Sequence, residues 1–218
     1  MRRVLRLDGV AWGLLAALLC LGAIGVTAFC AGNGVAPDAA PLARALDWQA
    51  ALGLREPWRL WTCAWVHGSA AHLLVNVAGA LVLAFVGWRG RLPAAAALAW
   101  FAAWPLVQVL MTAIGAERLA AVMPRYDGLS GVLHAGAVVA GLTLAQARAG
   151  RAPSARWIGV AIVAGTVAKV VSEAPWNLAP RPSAELGISV APIAHACGVA
   201  AGVLAWGALR LMRQRRDA

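Results

Sequence analysis

The chain has 218 residues, of which 61% are apolar and only 13% charged, with a mean hydropathy of +0.72. That balance excludes a soluble globular domain and defines an integral membrane protein. The net charge of +10 does not point to nucleic acid either, because no stretch is left over to fold into a separate basic domain.

Six apolar runs are long enough, or nearly so, to cross a hydrocarbon core of about 30 Å. They cover roughly 11–29, 70–88, 94–115, 128–147, 156–172 and 188–209. The first follows Arg2, Arg3 and Arg6 and ends in the small residues of "TAFCAG", as a signal peptide would. Its apolar core exceeds the usual ~7–15 residues of such a segment, and Phe29 before Cys30 spoils a lipoprotein cleavage box, so it is expected to remain as the first spanning helix. The outer loop that follows, 30–69, contains "EPWRLWTCAWVHG", whose tryptophans suit the headgroup level. Short inner turns, "WRGRLP" and "ARAGRAPSAR", join later spans. The last outer loop, about 173–187, carries Pro175, Pro180 and Pro182 and is predicted to be irregular and non-helical, a candidate lid. No internal repeat or low-complexity linker interrupts the chain, so one all-α domain over residues 1–218 is expected.

Charge fixes the expected orientation, since short arginine-rich loops stay cytoplasmic. The inner segments hold Arg2, Arg3, Arg6, Arg89, Arg91, Arg148, Arg151, Arg156 and the C-terminal arginines against Asp8 and Asp217. In the outer segments Arg44, Arg55, Arg59, Arg118, Arg125 and Arg181 are balanced by Asp38, Asp47, Glu56, Glu117, Asp127, Glu173 and Glu185. Both termini are therefore expected in the cytoplasm, with the basic balance directed at anionic lipid rather than nucleic acid. Lys169 lies near the outer end of the fifth span with Glu173 one turn on, so snorkelling or local pairing is its expected state. Of Cys20, Cys30, Cys63 and Cys197, none has zinc-like spacing, and only Cys30 and Cys63 could meet on an oxidising outer face.

Polar groups inside a bilayer are expensive and mark function by default. The second, fourth and sixth runs all enter from outside, and each carries a polar residue in about its first two turns: His72 and Asn76, Ser130, and His195. Scattered structural histidines would have no reason to share a leaflet. His72 and Asn76 are i and i+4, so one helical face presents both. Ser130 follows Gly128 at a loop-to-helix junction, where free amides and the positive helix end favour a developing anion. A serine hydroxyl needs a base to become a nucleophile, and a neutral imidazole is the usual one, which makes His195 the candidate. Gly131, Gly198 and Gly202, with Gly128, are the small residues that would let two helices approach.

The segments "WRLWTCAWVHGSAAHLLVN", "GLSG" and "AHACGVAAG" resemble the three signature segments of rhomboid intramembrane serine proteases, a likeness spanning roughly residues 58 to 202. The resemblance implies a six-helix transmembrane bundle with Ser130 as nucleophile and His195 as general base, and with His72, Asn76 and the Ser130 amide as oxyanion hole. Trp58 and Arg59 resemble the family's Trp-Arg pair in the first outer loop, and His67 a frequent companion of the oxyanion helix. Position 134 commonly carries an aromatic that packs on the base; here it is His134. With no extra cytoplasmic domain, "GLSGVLHAG" looks most like the rhombosortase branch. That branch implies a substrate anchored in the lipid bilayer by a C-terminal helix after a Gly-Gly motif. It also implies a bacterial inner-membrane location with the site facing the periplasm.

Each residue has a plainer reading alone: Ser130 as a small packing residue, Asn76 as interhelical glue, His195 and His134 as satisfied core histidines. The constellation outweighs these for all but His134, which stays structural. No carboxylate lies on the second, fourth or sixth span, so a Ser/His dyad is expected. No "HExxH", clustered carboxylates or conventional ligand pair is present, so neither a metal nor another cofactor is expected. The competing class is an inactive rhomboid-like helix-binding protein or a small transporter. Transporters often use intramembrane acids, and an inactive relative would lack the serine or the histidine.

Overall fold

The computed structural model describes residues 8–32, 39–146 and 153–217. Arg2, Arg3, Arg6, Asp38, Arg148 and Arg151, on which part of the charge reading rests, lie outside the described residues. Eight helices and two short antiparallel strand pairs are seen among the described residues. The helices are α1 (Val10–Ala31), α2 (Pro41–Leu46), α3 (Arg59–Thr62), α4 (Ala70–Arg89), α5 (Ala94–Val122), α6 (Ser130–Ala145), α7 (Pro153–Ser172) and α8 (Pro192–Asp217). Five of them, α1, α4, α5, α7 and α8, are long and apolar enough to cross a membrane.

The fourth apolar run forms the 16-residue α6, which at 1.5 Å per residue spans about 24 Å. Its first residue is Ser130 itself, because Gly128, in the left-handed region at φ 106°, turns the chain into the helix. α6 is also the hub of the bundle: α4, α5, α7 and α8 all pack on it. The third run is longer than expected, continuing to Val122 across a break at Gly115, where φ 129° and ψ 106° are not helical.

Buried indoles tie the helices together by donating to main-chain carbonyls, as a polar N–H in an apolar interior must. Trp12 Nε1 on α1 donates to Leu83 O on α4 at 2.7 Å, and Trp100 Nε1 on α5 to Val132 O on α6 at 2.8 Å. The two rings meet with centroids 4.5 Å apart. α7 stands apart, packing chiefly against α6.

The described part of the connection between α1 and α4, residues 39–69, is compact rather than loose. It contains α2, α3 and a 3₁₀ turn over Cys63–Trp65, and its strand β1 (Trp48–Gln49) pairs antiparallel with β2 (Arg125–Tyr126), in register Trp48 with Tyr126. The last outer loop departs from expectation. β3 (Arg181–Ser183) and β4 (Ile188–Val190) form an antiparallel hairpin, so this segment is ordered and the final helix begins only at Pro192. Pro182 is tolerated because a two-stranded ribbon has open edges and asks for no donor there. All four cysteines are free and buried; Cys63 belongs to the main core and Cys30 to a separate small cluster.

Candidate active site

Three elements fix the segment carrying Ser130. Gly128 N donates to Cys63 O at 3.0 Å, and Ala50 N to Pro124 O at 3.1 Å, so the connection between α1 and α4 clamps the chain on both sides of β2. A buried ion cluster locks that clamp. Arg59 donates to Asp47 Oδ1 at 3.0 Å, to Asp47 O at 2.7 Å and to Glu56 Oε2 at 2.6 Å, while Arg125 pairs with Asp47 Oδ2. Arg59 of the Trp-Arg pair thus acts as a buttress, and Trp58 is half exposed, donating to Ala45 O at 3.2 Å.

α6 and α8 come close enough for side chains near their N-terminal ends to meet. A Cβ on Gly198 would stand 2.2 Å from Gly131 O, and one on Gly202 2.7 Å from Ala135 O; only glycines permit this crossing. Across it, His195 Nε2 lies 3.0 Å from Ser130 Oγ. His195 is 4% exposed. Its ring stacks on His134, with centroids 4.3 Å apart and planes 15° from parallel. His134 Nδ1 lies 2.7 Å from Ser130 O and so donates to it, since a carbonyl only accepts. His134 therefore supplies a platform for the other imidazole.

His72 and Asn76 face the same spot from α4. A Cβ on Gly128 would lie 2.7 Å from His72 Nε2 and 3.7 Å from Asn76 Nδ2, so this glycine leaves open the space beside Ser130; it sits in the loop, not at a helix crossing. Asn76 Nδ2 and His72 Nδ1 are buried with no protein partner. Ser130 opens α6, and the first amides of a helix have no intrahelical acceptor. The unpartnered Asn76 amide and the open end of α6 thus border the same cavity as the hydroxyl, with the His72 ring beside them. His67, fully buried, packs on His72 with ring centroids 4.7 Å apart.

Two groups that the sequence reading did not assign join the site. Tyr126 OH receives the Gly131 amide at 3.3 Å and lies 3.5 Å from Ser130 Oγ. Glu173 Oε2 lies 2.6 Å from His195 Nδ1. The expected absence of a carboxylate beside the histidine is therefore corrected: the acid comes from the residue just past α7, not from the three spans searched. Glu173 Oε1 also receives Lys169 Nζ at 2.5 Å, the local pair anticipated for that lysine.

The site opens into a cavity of about 1030 Å³ between α4 and α7, floored by α6 and roofed by the β3–β4 hairpin. Val75, Gly79, Leu133 and Thr166 line it together with Ser130 and His195. Among the described residues no group of three or more His, Cys, Asp or Glu could hold a metal ion.

The rhomboid domain family model matches residues 54–212, so the chain belongs to the rhomboid family, whose members are in general intramembrane serine proteases. No curated protein and no solved structure matches it.

Proposed function

We propose that this protein is an active intramembrane serine endopeptidase with Ser130 as nucleophile and His195 as general base. The observation that carries the reading is the 3.0 Å separation of Ser130 Oγ and His195 Nε2 at the wall of the cavity lined by α4, α6 and α7. Its wall between α4 and α7 suits lateral entry of a substrate helix. The whole chain works as one domain of six crossings, α6 being the short one, with both termini cytoplasmic and the site near the periplasmic face of the inner membrane.

The chemistry follows from the placement of the groups. A substrate helix must unwind first, because its carbonyls are already bonded and covered. As Ser130 Oγ bonds to the exposed carbonyl carbon, its proton passes to His195 Nε2. The carbonyl oxygen becomes an oxyanion facing His72, Asn76 and the Ser130 amide. The imidazolium then protonates the departing amine as the C–N bond breaks, and water, activated by the same imidazole, releases the acyl group.

Within the family, the rhombosortase-like reading is favoured by "GLSGVLHAG" and by His134 at the stacking position. The substrates would then be exported proteins with a Gly-Gly motif, a C-terminal helix and a basic tail. Fluorophosphonate labelling in detergent tests the activity: signal lost in Ser130→Ala and His195→Ala supports it, and equal labelling of all three proteins refutes it. Mass spectrometry of the C-termini of exported proteins from wild-type and Ser130→Ala cells tests the substrate class.

A further inference from the structure

We infer that Glu173 is a positioning residue for His195, making the site a Ser130–His195–Glu173 triad whose acid is held in place by Lys169. The inference rests on the protease reading above and adds a member to it.

The geometry carries it. Both ring nitrogens of His195 are engaged, Nδ1 by Glu173 Oε2 at 2.6 Å and Nε2 by Ser130 Oγ at 3.0 Å. A carboxylate accepts only, so the shared proton sits on Nδ1 and leaves the Nε2 lone pair for the serine proton. Without that partner the two tautomers of a neutral imidazole compete, and the one protonated on Nε2 is useless as a base.

The backbone places the carboxylate deliberately. Glu173 N donates to Lys169 O and Val170 O, both at 3.2 Å, continuing the last turn of α7. Ala174, at φ 48°, then reverses the chain before Pro175. Lys169, one turn back, holds Oε1 at 2.5 Å. With both oxygens engaged, the plane of the carboxylate is set.

The charge state suits the role. Burial would raise the Glu173 pKa, but the hydrogen bonds from His195 and Lys169 outweigh it and hold it at about 2. Glu173 therefore remains a carboxylate throughout the reaction. When Ser130 Oγ bonds to the substrate carbon, the hydroxyl proton goes to Nε2, Nδ1 keeps its own, and the resulting imidazolium faces a fixed negative charge. The proton leaves later, from Nε2 to the departing amine, so no net transfer to Glu173 is needed. A surface ion pair of Lys169 and Glu173 alone would not require the second oxygen to face a histidine that is 4% exposed.

The test uses the full chain in detergent, with the rate of fluorophosphonate labelling as first readout. Glu173→Ala and the isosteric Glu173→Gln are expected to label roughly 10²–10⁴-fold more slowly than wild type, and Glu173→Asp to recover part of the loss. Wild type that labels, Ser130→Ala that does not, and Glu173→Gln within tenfold of wild type would overturn the inference while leaving the protease reading intact. The second readout is independent of turnover: ¹⁵N-histidine spectra, with His195 assigned by the signal lost in His195→Gln. A proton on Nδ1 in wild type that is shared between both nitrogens in Glu173→Ala, with His67 unmoved, supports the inference. A proton on Nε2 in wild type overturns it, whether or not the probe labels.

Discussion

Gly198 on α8 and Gly131 on α6 meet so closely that a methyl group on Gly198 would lie 2.2 Å from the Gly131 carbonyl oxygen. That contact sets the distance between the helices carrying His195 and Ser130. Gly198→Ala must push the two apart, and a misplacement of about 1 Å can cost on the order of 10²-fold in rate. Labelling of Ser130 is expected to fall by that order. Gly207→Ala, on the same helix but with nothing within 4 Å, is expected to label normally.

Asn76 Nδ2 is buried without a partner beside Ser130, the state of a donor kept free for an anion that exists only during reaction. Asn76→Ala is expected to lower kcat roughly 10²–10³-fold with little change in KM. Steady-state cleavage of a transmembrane reporter separates the two constants, and an unchanged kcat would remove Asn76 from the oxyanion hole.

Asp47 accepts from both Arg59 and Arg125 while its side chain is 1% exposed. Removing one member strands buried charge, which costs about 3–5 kcal/mol. Asp47→Ala is expected to lower the thermal midpoint in detergent sharply, whereas Arg55→Ala, on an exposed arginine bonded among the described residues only to local carbonyls, should barely move it.

Acid should destabilise the fold through two groups outside the spans. Burial, with the neighbouring His72, holds the His67 pKa down at about 3 from its ordinary 6.5, and Glu173 is held at about 2. Both are depressed in the folded protein, so the unfolded chain binds more protons as pH falls. The His67 contribution is full above about pH 6.5 and fades towards 3; the Glu173 contribution fades below about 4.5. Thermal midpoints measured from pH 7 to 4 should fall, and His67→Phe should flatten the slope between 6.5 and 4.5.

Much of this was legible in the residues because bilayer physics is strict. Apolar runs announced α1, α4 and α7 nearly to the residue, and polar side chains at one depth on three runs announced the cluster. Glu173 escaped because it belongs to no span that bears a polar site residue: its role depends on the turn at Ala174, which folds the end of α7 back onto α8. The β3–β4 hairpin escaped for a related reason, as prolines argue against helix but do not forbid a two-stranded ribbon. The 16-residue α6 was read as a longer run because hydropathy does not record where Gly128 redirects the chain.

Ser69 holds the turn of that hairpin and the start of α4 with one oxygen, giving its proton to Leu186 O and its lone pair to the His72 amide. Any tug on the roof of the cavity is therefore felt at the foot of the helix bearing His72, by a route two bonds long. Replacing this one small hydroxyl would cut that tether and leave every lipid-facing surface as it was.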